Sequence, residues 1–131
     1  MSHTTVYLTK LGNLNPQMLK AAVEYFAKML GATVFHGTIH NEYDDETRQI
    51  IVGFKTDDLP HGIGFNLDHA GNLVIVGDPY DQAEAYQKFI DMATSGQITN
   101  AYQIAMNAQE NNETVDSRVE GDSIIMEVNP Q

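Results

Sequence analysis

Residues 61–81, HGIGFNLDHAGNLVIVGDPYD, place two strand-like runs about a tight turn and end in an acidic Pro-Tyr corner that opens a helix. Ile63, Phe65 and Leu67 alternate with Gly64 and Asn66, the period of a half-buried strand whose successive side chains face opposite sides. Asp68, His69, Ala70 and Gly71 supply turn chemistry. Leu73, Val74, Ile75 and Val76 then form a continuous, largely β-branched run, which predicts a strand covered on both faces. Pro79 cannot donate a ladder hydrogen bond, so this strand has to stop at Gly77 or Asp78. The pair reads as an antiparallel hairpin at the centre of a sheet.

The flanking segments follow the same logic. Val6, Tyr7 and Leu8 predict a first strand over Thr4 to Thr9. Asn15 and Pro16 form a helix start, Leu19, Ala22, Val23, Phe26 and Leu30 recur at helical spacing, and Gly31 ends the helix. Strands are expected over Ala32 to Ile39 and Arg48 to Lys55, joined by an acidic hairpin loop, with a break over Asp57 to Pro60. A second helix, capped by Asp78 or Asp81, carries Ala85, Tyr86, Phe89 and Ile90. Thr94, Ser95 and Gly96 interrupt it before a third helix to about Ala108. Thr114 to Val119 and Ser123 to Val128 read as a closing hairpin about Glu120, Gly121 and Asp122. The fold class is therefore α+β: a mainly antiparallel sheet with two or three helices packed against it, in one domain over residues 1–131.

Composition narrows the function classes. Eighteen acids against seven bases give a formal charge of −11, which opposes binding to polyanions such as nucleic acid or anionic membrane. The absence of cysteine removes disulfides, zinc-thiolate sites and thiol nucleophiles. Apolar runs are too short to span a bilayer, and the start lacks a signal peptide's pattern, so the expectation is a soluble cytoplasmic protein without a cofactor.

Three ordered anchors carry a family resemblance. The opening MSHTTVYLTK is similar to the Met-Ser-His-aromatic start of the uncharacterised domain family 1257, whose plastid and cyanobacterial members are labelled hypothetical chloroplast reading frame 35. GIGFN and NLVIVGDPYD resemble that family's Ile-Gly-Phe strand and the following strand with its acidic, aromatic corner, and EGDSIIMEV resembles its terminal hairpin. Thr4 departs from the family's usual aromatic, and Pro79-Tyr80 stands where a tryptophan is common. The resemblance implies a small accessory protein without an assigned activity. For some members it implies an adaptor role beside AAA-type ATPases.

Candidate chemistry is sparse. His3-Thr4-Thr5 and His36-Gly37-Thr38 match His-x-Thr, the strand-borne pair of two-histidine phosphoesterases, in which one imidazole is base and the other acid. His36 and His40, with Glu42, Asp44 and Asp45, offer metal-ligand types, yet on an extended strand the two histidines stand about 13 Å apart. A two-histidine or metal-dependent hydrolase using His3, His36 and His40 is thus the enzymatic alternative. Asp44, Asp45, Glu46, Asp57 and Asp58 lack the EF-hand pattern, and Gly62, Gly64 and Gly77 lack the lysine and helix start of a phosphate loop. Gly62 and Gly64 instead read as points of close backbone approach or a bulge.

Asp78, Tyr80 and Asp81 are the leading binding residues, because they stand where a core strand gives way to a helix. The reading that combines these points is a non-enzymatic accessory or adaptor protein that meets a protein partner, an AAA-type ATPase or another basic surface, through acidic contacts. A variant of it is a phage-type inhibitor that presents its acids to a basic groove in a host protein.

Overall fold

A computed structural model describes residues 3–7, 14–40 and 47–130, with the backbone alone for His3, Thr5 and Tyr7. The chain runs β1 (His3–Tyr7), α1 (Pro16–Leu30), β2 (Thr33–His40), β3 (Thr47–Thr56), β4 (Leu59–Leu67), β5 (Leu73–Gly77), α2 (Ala83–Thr94), α3 (Gln97–Glu110), β6 (Glu113–Glu120) and β7 (Ser123–Pro130). The first five strands form one antiparallel sheet in the order β1-β5-β4-β3-β2, and β6 and β7 pair as a separate ribbon. The fold is α+β and mainly antiparallel sheet, as its periodicities require. The expected extension of the first strand through Leu8 and Thr9, and the loop carrying Glu42, Asp44, Asp45 and Glu46, lie outside the described residues.

Alternating strand directions leave β1 and β2 pointing the same way at opposite edges, so α1 crosses the width of the sheet between them. Its ends follow local rules. The Asn15 side chain accepts from the Met18 N–H at 2.8 Å, Pro16 needs no donor there, and Gly31 closes the helix at φ 69°.

Strands β3, β4 and β5 send alternate residues to the helices. Val52, Phe54, Ile63, Phe65, Leu73 and Ile75 meet Leu19, Val23 and Phe26 of α1, Phe89 and Met92 of α2, and Ile98 of α3. Phe54 is the hub: its ring lies 5.8 Å from Phe26, 5.2 Å from Phe89 and 6.1 Å from Phe65, the first two contacts edge-on. Burying each such side chain stabilises the fold by about 2–3 kcal/mol.

The opposite face holds a smaller cluster of Ile39, Ile50 and Val76, flanked by Phe35 and Val74. Here the glycines have a purpose. A Cβ on Gly53 would stand 2.7 Å from the Phe35 ring and one on Gly64 2.6 Å from Ile50 Cγ2, so both side chains lie flat on bare backbone. The register of β2 on β3 slips between Phe35↔Gly53 and Gly37↔Ile50, which lets Ile51 and Val52 both reach the main core while Ile50 serves the other face.

The run over β5 is covered on both faces, as its composition predicts: by the helices on one and by the sheet's own side chains on the other. One expectation changes. The break ends at Asp58: Leu59 is fully buried and Pro60 lies within β4. Pro60 is tolerated because the β3–β4 register slips between Phe54↔Ile63 and Thr56↔Leu59, where no ladder donor is required of it. The ribbon β6–β7 packs on α3 and α1 through Val119 and Ile124, and the Tyr25 hydroxyl donates to Ser117 Oγ at 3.4 Å. Among the described residues no helix is long and apolar enough to cross a membrane.

Candidate functional site

The corner after β5 is built by short-range hydrogen bonds. Asp78 Oδ1 accepts from the Tyr80 N–H at 3.0 Å, folding the chain back over Pro79, and the Gln82 N–H donates to the Pro79 carbonyl at 3.0 Å. Asp81 takes a left-handed φ of 59°, a conformation that Asp adopts more readily than most residues. Neither aspartate caps α2, contrary to expectation. The N-cap is Gln82, which makes no side-chain cap bond. The carboxylate of Asp78 is engaged in its own turn, and the left-handed turn at Asp81 separates both acids from the first helical turn.

Gln82 has another task. Its Nε2 donates to the Asp78 carbonyl at 2.7 Å and the Gly62 carbonyl at 3.2 Å, and its Oε1 accepts from the His61 N–H at 2.9 Å. The residue is only 4% exposed, so these bonds satisfy backbone groups of the β4 bulge that water does not reach. A second glutamine does the same at the start of α3. Gln97 donates to the Asp122 carbonyl at 3.0 Å and accepts from the Ile124 N–H at 3.1 Å, pinning the tip of the β6–β7 ribbon.

The corner separates its acids between two environments. Asp78 is 5% exposed and lines a cavity of about 10 Å³ with His40, Arg48, His61, Ile39 and Val76. That volume suits about one water, too small for an organic substrate. Asp81 instead lies on an open groove of about 830 Å³ beside α2, whose walls are the β3–β4 turn and the pinned ribbon tip. Asp58, Asp81, Glu84, Asp91 and Asp122 line it, with Lys88 as the one Lys or Arg among the described residues that do. Lys88 sits over the Phe89 ring at 5.6 Å, and Asp91 accepts from Gln87 at 2.9 Å. Tyr80, at the corner itself, is 59% exposed.

His36 and His40 do not converge on that groove. His36 Nε2 stands 3.4 Å from Glu24 Oε2 on α1, on the helix side of the sheet. His40 lines the small cavity with β3, β4 and β5 residues. The backbone of His3 pairs with Gly77, one residue before the corner. Among the described residues no group of three or more His, Asp or Glu side chains is placed to hold a metal ion; Glu42, Asp44 and Asp45 lie outside them.

Gln82 and Gln97 were missed by sequence reasoning. Their partners lie 20 to 27 residues away for all but the Asp78 carbonyl, and a glutamine near a helix start carries no local signal of such a clamp. Comparison of the chain with protein-family models, with curated proteins and with solved structures finds no match.

Proposed function

We propose that this protein is a non-enzymatic accessory or adaptor domain that takes a basic segment of a partner protein into the acidic groove along α2. The observation that carries the reading is the convergence, among the described residues, of five carboxylates from three separate parts of the chain against a single lysine. Such a surface attracts Lys- and Arg-rich segments over several ångströms and speeds their encounter, an effect that salt screens over about 8 Å at physiological ionic strength. Tyr80, the neighbour of Asp81 in the chain, is exposed and would add an apolar contact with a polar tip. The groove is framed by hydrogen-bonded turns, so binding need not first order its walls.

The family resemblance supplies one class of partner, an AAA-type ATPase. The phage-type inhibitor reading uses the same carboxylates and differs only in whose basic surface they meet. The hydrolase alternative draws no support from His36 and His40, which serve different sides of the sheet.

The test is the binding of a fluorescent Lys/Arg-rich peptide, followed by anisotropy at low and high salt, with the charge-reversed double variant Glu84→Lys, Asp91→Lys as comparison. Binding that weakens steeply with salt and falls about tenfold or more in the variant is expected. Equal binding by both proteins removes the groove from the account. Affinity capture from the native host at the same two salt concentrations then identifies the partner.

A further inference from the structure

The β6–β7 ribbon leaves one long edge open. β6 lies against α1, where the Tyr25 hydroxyl bonds to Ser117, and among the described residues no strand pairs with β7 on its other side. The edges of the main sheet are less available: β1 is five residues long and β2 slips register beside Gly37, both devices that discourage pairing. β7 runs eight residues in unbroken register with β6. Gln97 identifies the backbone groups that face outward. Its Oε1 accepts from the Ile124 N–H at 3.1 Å and its Nε2 donates to the Asp122 carbonyl at 3.0 Å, as the peptide groups of a neighbouring strand do. Backbone groups alternate in an antiparallel pair, so Met126 and Val128 turn theirs the same way as Ile124, and Pro130, without an N–H, ends the row.

Two kinds of side chain flank this edge. On the face that Ile124 turns to the core, Val128 is 40% exposed, and Met106 of α3 is exposed to the same degree. The two stand level. Val128 lies about 13 Å beyond Ile124 along the strand, and Met106 about 13 Å beyond Gln97 along a helix that runs the same way, since its end meets Pro130 at Asn111 and Asn112. On the other face Asp116 stands directly opposite Glu127, and Arg118 is shared between Glu120 at 3.0 Å and Glu127 at 3.1 Å. Three carboxylates on that face of the ribbon thus meet one guanidinium, and like charges directly opposed across two strands are destabilising.

We propose that the open edge of β7 takes an extended segment of a partner protein as a third strand, one in which basic and apolar residues alternate. Main-chain bonds to Met126 and Val128 hold the segment, its apolar side chains cover Val128 and Met106, and a Lys or Arg on the other face offsets the opposition of Asp116 and Glu127. A second copy of the chain fits less well. Two β7 edges side by side bring one row of carboxylates against the other, at −11 per chain. A helix has its own backbone bonds closed and offers the edge no partners. The proposal does not rest on the groove along α2, with which the ribbon shares only its tip at Asp122.

The probe is a fluorescein-labelled peptide that alternates Lys and Val over about eight residues, titrated by anisotropy into the whole chain and into the groove variant Glu84→Lys, Asp91→Lys. Saturable binding by both is expected, with the Met126 and Val128 amides protected from hydrogen exchange in the complex. Val128→Pro removes an outward donor without touching the β6 ladder, and Glu127→Lys reverses the charge. Each is expected to weaken binding about tenfold in the groove-variant background. Probes N-methylated on one or the other alternate set of residues should differ, because only one set turns its N–H toward β7. An unchanged circular-dichroism melt verifies that each variant folds, and the methylated probes make the same test on the unaltered chain. Absence of binding up to about 1 mM probe overturns the inference, as do equal affinities of the two methylated probes or indifference to both variants. So does a dimer in sedimentation that Val128→Pro dissociates, which gives the edge to a second copy. Binding by the whole chain that vanishes in the groove variant moves the peptide to the groove and overturns this inference alone, while binding equal in the two with both edge changes effective overturns the groove reading alone.

Discussion

The two faces of the main sheet are covered in different ways from the same strands. On one, three helices bring a second layer of side chains, and Phe54 sits fully buried among Phe26, Phe65 and Phe89. On the other there is no second layer among the described residues, so Phe35 and Ile50 lie down over Gly53 and Gly64 and shelter the backbone themselves. The first strategy removes large side chains from water. The second leaves a thin apolar surface whose stability rests on glycines that elsewhere in a strand would weaken it.

This contrast can be broken at the core first. Phe54→Ala is expected to destabilise the protein by about 3–5 kcal/mol in denaturant unfolding, whereas Phe35→Ala, on the half-exposed side, should cost about 1–2 kcal/mol. Equal losses would mean that the two faces are energetically alike. Gly64→Ala tests the self-covering device. Its new methyl meets Ile50 Cγ2 at 2.6 Å, so a loss of about 1–3 kcal/mol is expected, and a smaller one when the same substitution is made in Ile50→Ala, where that atom is gone. Additive losses in that pair would show that the glycine serves some other purpose.

The smallest effect belongs to the turn that carries the chain from β4 to β5. Asp68 accepts from the Asn72 N–H at 2.8 Å, the Ala70 N–H at 3.0 Å and the Asn72 side chain at 3.1 Å. The backbone bond from Asn72 is the main reason its carboxyl titrates below the ordinary aspartate range. The folded-state pKa lies below the unfolded one, so the turn's contribution is present above the unfolded value and is lost as pH falls through the folded one. Titration of the Asp68 carboxyl by NMR should give the lowered value, and Asp68→Asn should abolish this acid-side dependence while leaving both faces intact. An unshifted carboxyl would show that the turn is not held through its charge.

How much of this was legible follows from the range of each interaction. The start and end of α1 were readable because Asn15, Pro16 and Gly31 act within four residues of themselves. Gly62 and Gly64 could be assigned to close approach or a bulge, and Gly62 does adopt a positive φ of 80° beside the β3–β4 register slip, but nothing local named Phe35 or Ile50 as the side chains approaching. The apolar run of β5 announced burial on both faces without saying that the coverings differ in kind. The corner stands where the sequence placed it, but its acids do not cap α2 as expected. Capping competes with the turn that Asp78 makes with Tyr80, and the nearer bond prevailed.

By itself, the sequence determined the order of elements, their periodicities and both ends of α1, because these depend on side-chain conformation and hydrogen bonds a few residues apart. It also set the excess of acid and confined that excess to segments other than β1 to β5. Only the tertiary structure decided which face of each strand meets a helix, that Asp58, Asp81 and Asp122 line one groove, and that Gln82 and Gln97 fix its walls. Those facts join residues tens of positions apart, and packing of the whole chain, with every buried polar group requiring a partner, is what selects them.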